Sequence, residues 1–116
     1  MQHLSWESVK KEVLNEKMSR KIISGEKAML AQICIAKGGV VPLHQHESEQ
    51  LSYVLEGALK FELEGKEVVV RKGEVLLIPS HVPHSAVAVE DFFGLDVFSP
   101  IRLDWLTGKD DYLRAK

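Results

Sequence analysis

The chain has 116 residues, enough for one domain with a modest core and too few for two. Apolar residues make up 45% and charged residues 28%, as in an ordinary soluble globular protein, and a net charge of −2 lacks the basic excess of a nucleic-acid surface. No apolar run approaches the ~18–20 residues of a membrane span, Met1–Lys11 lacks an apolar signal core, and one cysteine excludes an internal disulfide, so a cytoplasmic location is expected.

Residues 1–15 read as an arm. Ser5 is a candidate cap for a short helical turn through Trp6–Val13, with Trp6, Val9 and Val13 on one side; a loosely docked arm is the alternative. From Lys17 onward the pattern is β. Met18–Ser24 and Ala28–Ala36 are strand-like runs parted by the hairpin-type break Gly25-Glu26-Lys27. Gly38-Gly39 ends the second run and Pro42 precedes two histidines, which predicts an irregular, bulged entry. Short runs rich in Val, Ile, Leu, Phe or Tyr follow at Gln50–Leu55, Ala58–Leu63, Lys66–Arg71, Glu74–Ile78, His84–Val89 and Phe92–Phe98. Glu56-Gly57, Glu64-Gly65, Lys72-Gly73 and Glu90-Asp91 supply turns between them. About eight short strands with little helix predict an all-β sandwich or small barrel over residues 17–102. Residues 103–116 form a charged tail whose Trp105, Leu106, Tyr112 and Leu113 fall at roughly helical spacing, ready to pack an apolar edge on the barrel or on a second subunit.

The chemistry gathers at residues 38–57. His44 and His46 sit two apart, so on a strand both imidazoles face one side, and Gln50 follows four residues later. His84 lies in a separate strand–turn segment, Ile78-Pro79-Ser80-His81-Val82-Pro83-His84. Three imidazoles and a carboxamide converging on one point would make a metal centre, of a kind that suits Zn, Cu, Fe, Ni, Mn or Co rather than calcium. All four groups are neutral, so a divalent ion would keep its full charge, act as a strong Lewis acid and favour anionic substrates. Alternatively, His44 and His46 are half-exposed strand residues with no ligand. His81 and His3 are expected at the surface, and Cys34 as a small buried residue rather than a nucleophile. Glu47 and Glu49 have the opposite strand parity to the histidines and should point outward, unless a bulge reverses Glu49.

These residues carry a family resemblance. Gly38-x5-His44-x-His46-x3-Gln50-x6-Gly57 resembles the first motif of cupins, with Gln in place of the usual Glu. Gly73-x5-Pro79-x-His81-x2-His84-x3-Ala88 resembles the second, with His81 replacing a glycine and Ala88 an asparagine. The resemblance implies a double-stranded β-helix (a jelly-roll barrel). It also implies a divalent transition metal (Mn, Fe, Co, Ni or Zn) held by His44, His46, Gln50 and His84.

The last strand narrows the choice among cupins. In Gly94-Leu95-Asp96-Val97-Phe98-Ser99-Pro100-Ile101-Arg102, Asp96 and Phe98 share strand parity and can both face the interior, while Arg102 could reach across the mouth. A carboxylate, an aromatic wall and an arginine beside a metal suit a small acidic, hydroxylated molecule; otherwise Asp96 and Arg102 form a salt bridge closing the barrel end. With the ligand set, Asp-x-Phe-Ser-Pro-x-Arg is similar to the KdgF-like cupins of pectin degradation. That resemblance implies an enzyme converting a 4,5-unsaturated uronate to its linear 4-deoxy-5-keto form. Asp96 would be the base, Arg102 the grip on the substrate carboxylate and Phe98 the wall. Rival readings are a metal-dependent cupin dioxygenase, a non-catalytic module binding sugar acids, and a sugar-phosphate isomerase. A homodimer is expected, because small jelly rolls leave sheet edges that partners cover, with Met18–Ser24 as the expected edge.

Overall fold

Alternation of apolar and polar residues, with glycine at the turns, resolves into ten strands among residues 1–114, which a computed structural model describes. They are β1 (Glu12–Asn15), β2 (Met18–Ser24), β3 (Met29–Ile35), β4 (Val40–His44), β5 (Glu49–Glu56), β6 (Ala58–Leu63), β7 (Lys66–Arg71), β8 (Val75–Ile78), β9 (His84–Ala88) and β10 (Phe92–Ser99). A six-stranded sheet runs β1-β2-β3-β10-β5-β8 and a four-stranded sheet β4-β9-β6-β7, with every pairing antiparallel. This is an all-β fold of the kind that the strand pattern predicts, and the jelly-roll barrel that the cupin resemblance implies.

The core lies between the two sheets. Met29, Ala31, Ile33 and Ile35 of β3 point inward, as do Val54 of β5, Phe61 of β6 and Phe98 of β10. Each fully buried large side chain contributes roughly 1.5–3 kcal/mol. Gly57 is required at the β5–β6 turn: its φ is 81°, and a Cβ there would lie 1.9 Å from the Asp91 carbonyl oxygen.

Two local expectations are corrected. Only Trp6–Ser8 winds, as a 3-10 turn, and Glu12–Asn15 is a strand rather than the end of a helical turn. Leu14 alone of that strand is buried while Val13 is exposed, a period of two rather than 3.6. β1 therefore pairs along β2, so Met18–Ser24 is an inner strand and β1 takes the edge. Cys34 is exposed, because β3 sends its odd-numbered residues inward from Met29 to Ile35 and the thiol to the outer face.

The outer face of the large sheet is apolar where β10, β5 and β8 run side by side. Register places Val97 beside Leu51 and Leu51 beside Leu77, with Tyr53 beside Val75, and all five are exposed.

Beyond β10 the tail forms α1 (Leu103–Leu106) and a 3-10 turn at Asp111–Leu113, and it docks on the barrel. Trp105 and Leu113 are buried, and the Trp105 ring meets Phe98 edge-on at 5.0 Å. Asp110, fully buried, pairs with the equally buried Arg20 of β2 and with Arg114, whose Nε donates at 2.8 Å. No helix among the described residues is long and apolar enough to cross a membrane.

Candidate metal centre

His44 ends β4, His84 opens β9, and the two are register partners across the small sheet. His46 lies in the loop to β5, and Gln50 near the start of β5 is register partner to Phe98 of β10. The irregular pairing between Val41 and His44 is the bulged entry that Pro42 predicts. The ring centroids are 4.3 Å apart for His44–His84, 5.0 Å for His46–His84 and 5.4 Å for His44–His46. One nitrogen from each ring falls within 4.8 Å of the others. The two motifs, distant in sequence, thus meet at one point.

The hydrogen bonds set the tautomers. His44 Nδ1 faces the Pro42 carbonyl at 2.7 Å, His46 Nδ1 that of Ser48 at 2.8 Å, and His84 Nδ1 that of Val82 at 2.8 Å. A carbonyl only accepts, so each Nδ1 carries the proton and each Nε2 offers a lone pair. Burial pushes His44 and His46 down to about 4 and lowers His84, so all three rings are neutral near pH 7.

Two contacts fit an ion. His84 Nε2 is buried and has no hydrogen-bond partner among the described residues. His46 Nε2 lies 3.0 Å from Gln50 Oε1, yet a neutral His46 has already committed its proton to Ser48. Two lone pairs facing each other at that distance match adjacent corners around an ion with bonds of about 2.1 Å, which are about 3.0 Å apart. The donor set of three imidazoles and a carboxamide suits a divalent transition metal.

Asp96 and Phe98 both line the cavity beside His44, Gln50 and His84. Phe98 is buried and meets His46 edge-on, with centroids 5.7 Å apart. Burial raises the Asp96 carboxyl from 3.8 to about 6, against the opposing pull of a Ser52 hydrogen bond and the Arg102 charge. Arg102 does not span an open mouth. It is buried, Asp104 grips its Nε and Nη2 at 3.0 and 2.8 Å, and the Tyr112 hydroxyl accepts from Nη2 at 2.7 Å. The chain turns into α1 straight after Arg102, which brings Asp104 within chelating reach. Nη1 is buried and has no hydrogen-bond partner among the described residues, and Arg102 lines the same cavity. Its salt bridge is therefore to Asp104 rather than to Asp96.

Glu47, Glu49, His81 and His3 are all exposed, as their positions in sequence predict. Two further residues join the site. Tyr112 covers His44 with centroids 4.8 Å apart, and Ser52 lies between Gln50 and Asp96. Strand parity alone would have placed Ser52 on the Gln50 side, whereas no local pattern points Tyr112 at a histidine.

A two-sheet barrel with clustered histidines at one end defines a class, and the family comparison agrees: the cupin domain matches residues 31–98, and the chain belongs to that family. Within it the chain is similar to the pectin degradation protein KdgF of Dickeya dadantii, at 31% identity over 82% of this chain and 89% of that protein. The structure of KdgF from Halomonas sp. superposes with a TM-score of 0.77 at 34% identity, covering 83% of this chain and 90% of that one. The 3-hydroxyanthranilate 3,4-dioxygenase of Bacillus thuringiensis is 30% identical over 79% of this chain but only 54% of its own length. The chain is thus a KdgF-like cupin with enzymes among its relatives, in keeping with the expectation of catalysis.

Proposed function

We propose that this protein opens the ring of a 4,5-unsaturated uronate and delivers the linear 4-deoxy-5-keto acid. The observation that carries the reading is Asp96, a carboxylate lining the same cavity as His44, Gln50, His84 and Arg102, with His46 completing the histidine cluster. Similarity to a pectin degradation protein supports the substrate class.

In this reading Arg102 Nη1 holds the substrate carboxylate, and Phe98 packs on the sugar ring. Asp96 takes the proton of the anomeric hydroxyl. The O–H electrons form the C1 carbonyl, the C1–ring oxygen bond breaks, and its electrons pass to the oxygen on C5. Proton return at C4 gives the ketone, so the reaction is a net isomerisation. A divalent ion held by the three histidines and Gln50 supplies Lewis-acid stabilisation of the oxygen on which charge develops. Trp105 and Tyr112 of the tail exclude water.

Absorbance of the conjugated alkene in unsaturated galacturonate should fall on adding the protein, and a chelator should stop the loss. An unchanged absorbance with fully metal-loaded protein would leave the binding-module reading. The dioxygenase reading rests on the Bacillus relative, and oxygen uptake during turnover would favour it instead. Because Asp96 must be ionised to act, kcat/KM should rise with pH along a limb at or below about 6, since a bound cation favours the carboxylate further. A profile that rises only above pH 8 would exclude Asp96 as the group being titrated.

We also propose that the expected homodimer forms through a face rather than an edge. The exposed patch of Leu51, Tyr53, Val75, Leu77 and Val97 carries no charge, so a second copy can meet it across a two-fold axis without like-charge repulsion. Leu51→Glu should halve the molar mass measured by light scattering. An unchanged mass would rule out this face.

A further inference from the structure

We propose that Ser52 is a positioning residue of the metal centre, whose hydroxyl decides which end of the Gln50 carboxamide faces the histidines. The inference rests on the reading that His44, His46, Gln50 and His84 hold an ion, and it adds a device to that site.

Ser52 is 1% exposed, two residues after Gln50 on the same face of β5, and register partner to Asp96 on β10. Its hydroxyl has one proton. Its cross-strand register partner, Asp96, can only accept when ionised, so the Ser52 proton is directed to that side. Ser52 Oγ can then only accept, and it accepts from Gln50 Nε2 at 2.9 Å. The other end of the amide, Oε1, is thereby turned to His46 Nε2 at 3.0 Å. A flipped amide would place Oε1 against Oγ with no proton between them and aim an NH2 group, which cannot ligate, at the histidines.

A carboxamide needs such a device because its two ends have nearly the same shape and opposite chemistry. A glutamate at the same position would not, since its two oxygens are equivalent. Ser52 thus links the metal-facing carboxamide to the carboxylate that the proposed reaction uses as base, through a three-group chain inside the barrel.

The test is a cycle of four proteins: wild type, Ser52→Ala, Gln50→Glu, and the double variant. Their Zn2+ affinities are measured by competition with a chromophoric chelator, a readout independent of turnover. Ser52→Ala should weaken Zn2+ binding by about tenfold to a hundredfold, the usual effect of removing a group that orients a ligand. In the Gln50→Glu background the same change should cost little or nothing. Ser52→Thr, which keeps the hydroxyl, should bind Zn2+ as wild type does and guards against a packing defect. An equal loss in both backgrounds would show a merely structural role, and an unchanged affinity on Ser52→Ala would remove the role altogether. If wild type binds Zn2+ tightly while Ser52→Ala has no effect, this inference falls alone; if wild type fails to bind, the metal reading falls with it.

Discussion

Asp96→Asn should reduce turnover of the unsaturated uronate by about 10²–10⁴, the usual contribution of a positioned general base, while leaving the metal content unchanged. The same substitution should raise the melting temperature of the metal-free protein near pH 7, and the two outcomes share one cause. The fold holds the Asp96 carboxyl at about 6 rather than the ordinary 3.8, chiefly because burial disfavours the charged form. The folded state therefore binds that proton more tightly than the unfolded chain does. Stability from this group is greatest below pH 3.8, declines as pH rises toward about 6, and stays reduced above. Asparagine has nothing to ionise, so the decline should vanish from a plot of melting temperature against pH. Retained turnover would remove Asp96 as the base, while lost turnover with lost metal would make it a ligand instead.

Asp110→Ala should lower stability by about 3–5 kcal/mol, because removing one partner strands a buried charge. The stranded group is Arg20, which is 1% exposed, stacks over Trp105 with its guanidinium carbon 4.3 Å from the ring centroid, and keeps only the longer contacts to Glu12. A loss of that size lowers the melting temperature of a chain this long by roughly 10–25 °C. The paired change Arg20→Met with Asp110→Leu should recover most of it, since apolar groups of similar volume need no partner. Equal stability of the single variant and wild type in urea unfolding would show that the pair contributes nothing. Burial alone would raise the Asp110 carboxyl, but Arg114 and Arg20 outweigh it and hold it below its ordinary value. The stabilisation is therefore full above pH 3.8 and is lost as pH falls through the lower folded value, so acid should loosen the tail. Limited proteolysis between Thr107 and Asp110 at low pH would register that loosening.

The tail's contacts with the site are not encoded in its own spacing. Its apolar spacing foretold docking, yet the spacing of Trp105 and Tyr112 says nothing of a phenol seated against His44 and bonded to Arg102. Asp-x-Phe-Ser-Pro-x-Arg places Arg102 just past a strand end, from where it could reach across the mouth or pair with Asp96. The turn into α1 gave it Asp104 instead. Cys34 is exposed within an apolar run, because such a run does not announce which of its two faces is buried.

Sequence alone determined what depends on near neighbours. Period-two alternation with glycine at the turns set the strands of the barrel, since side-chain direction along a strand is a local property. The spacing of His44, His46 and Gln50, with His84 after its own turn, set the donor types and hence the class of ion they suit. Tertiary structure decided everything that needs two distant segments to meet. Only pairing of β4 with β9 and of β5 with β10 brings the histidines together and lays Ser52 against Asp96. Only docking of the tail buries Asp110 against Arg20 and closes Tyr112 over the site. Such contacts arise from the burial of whole faces, which no local spacing encodes.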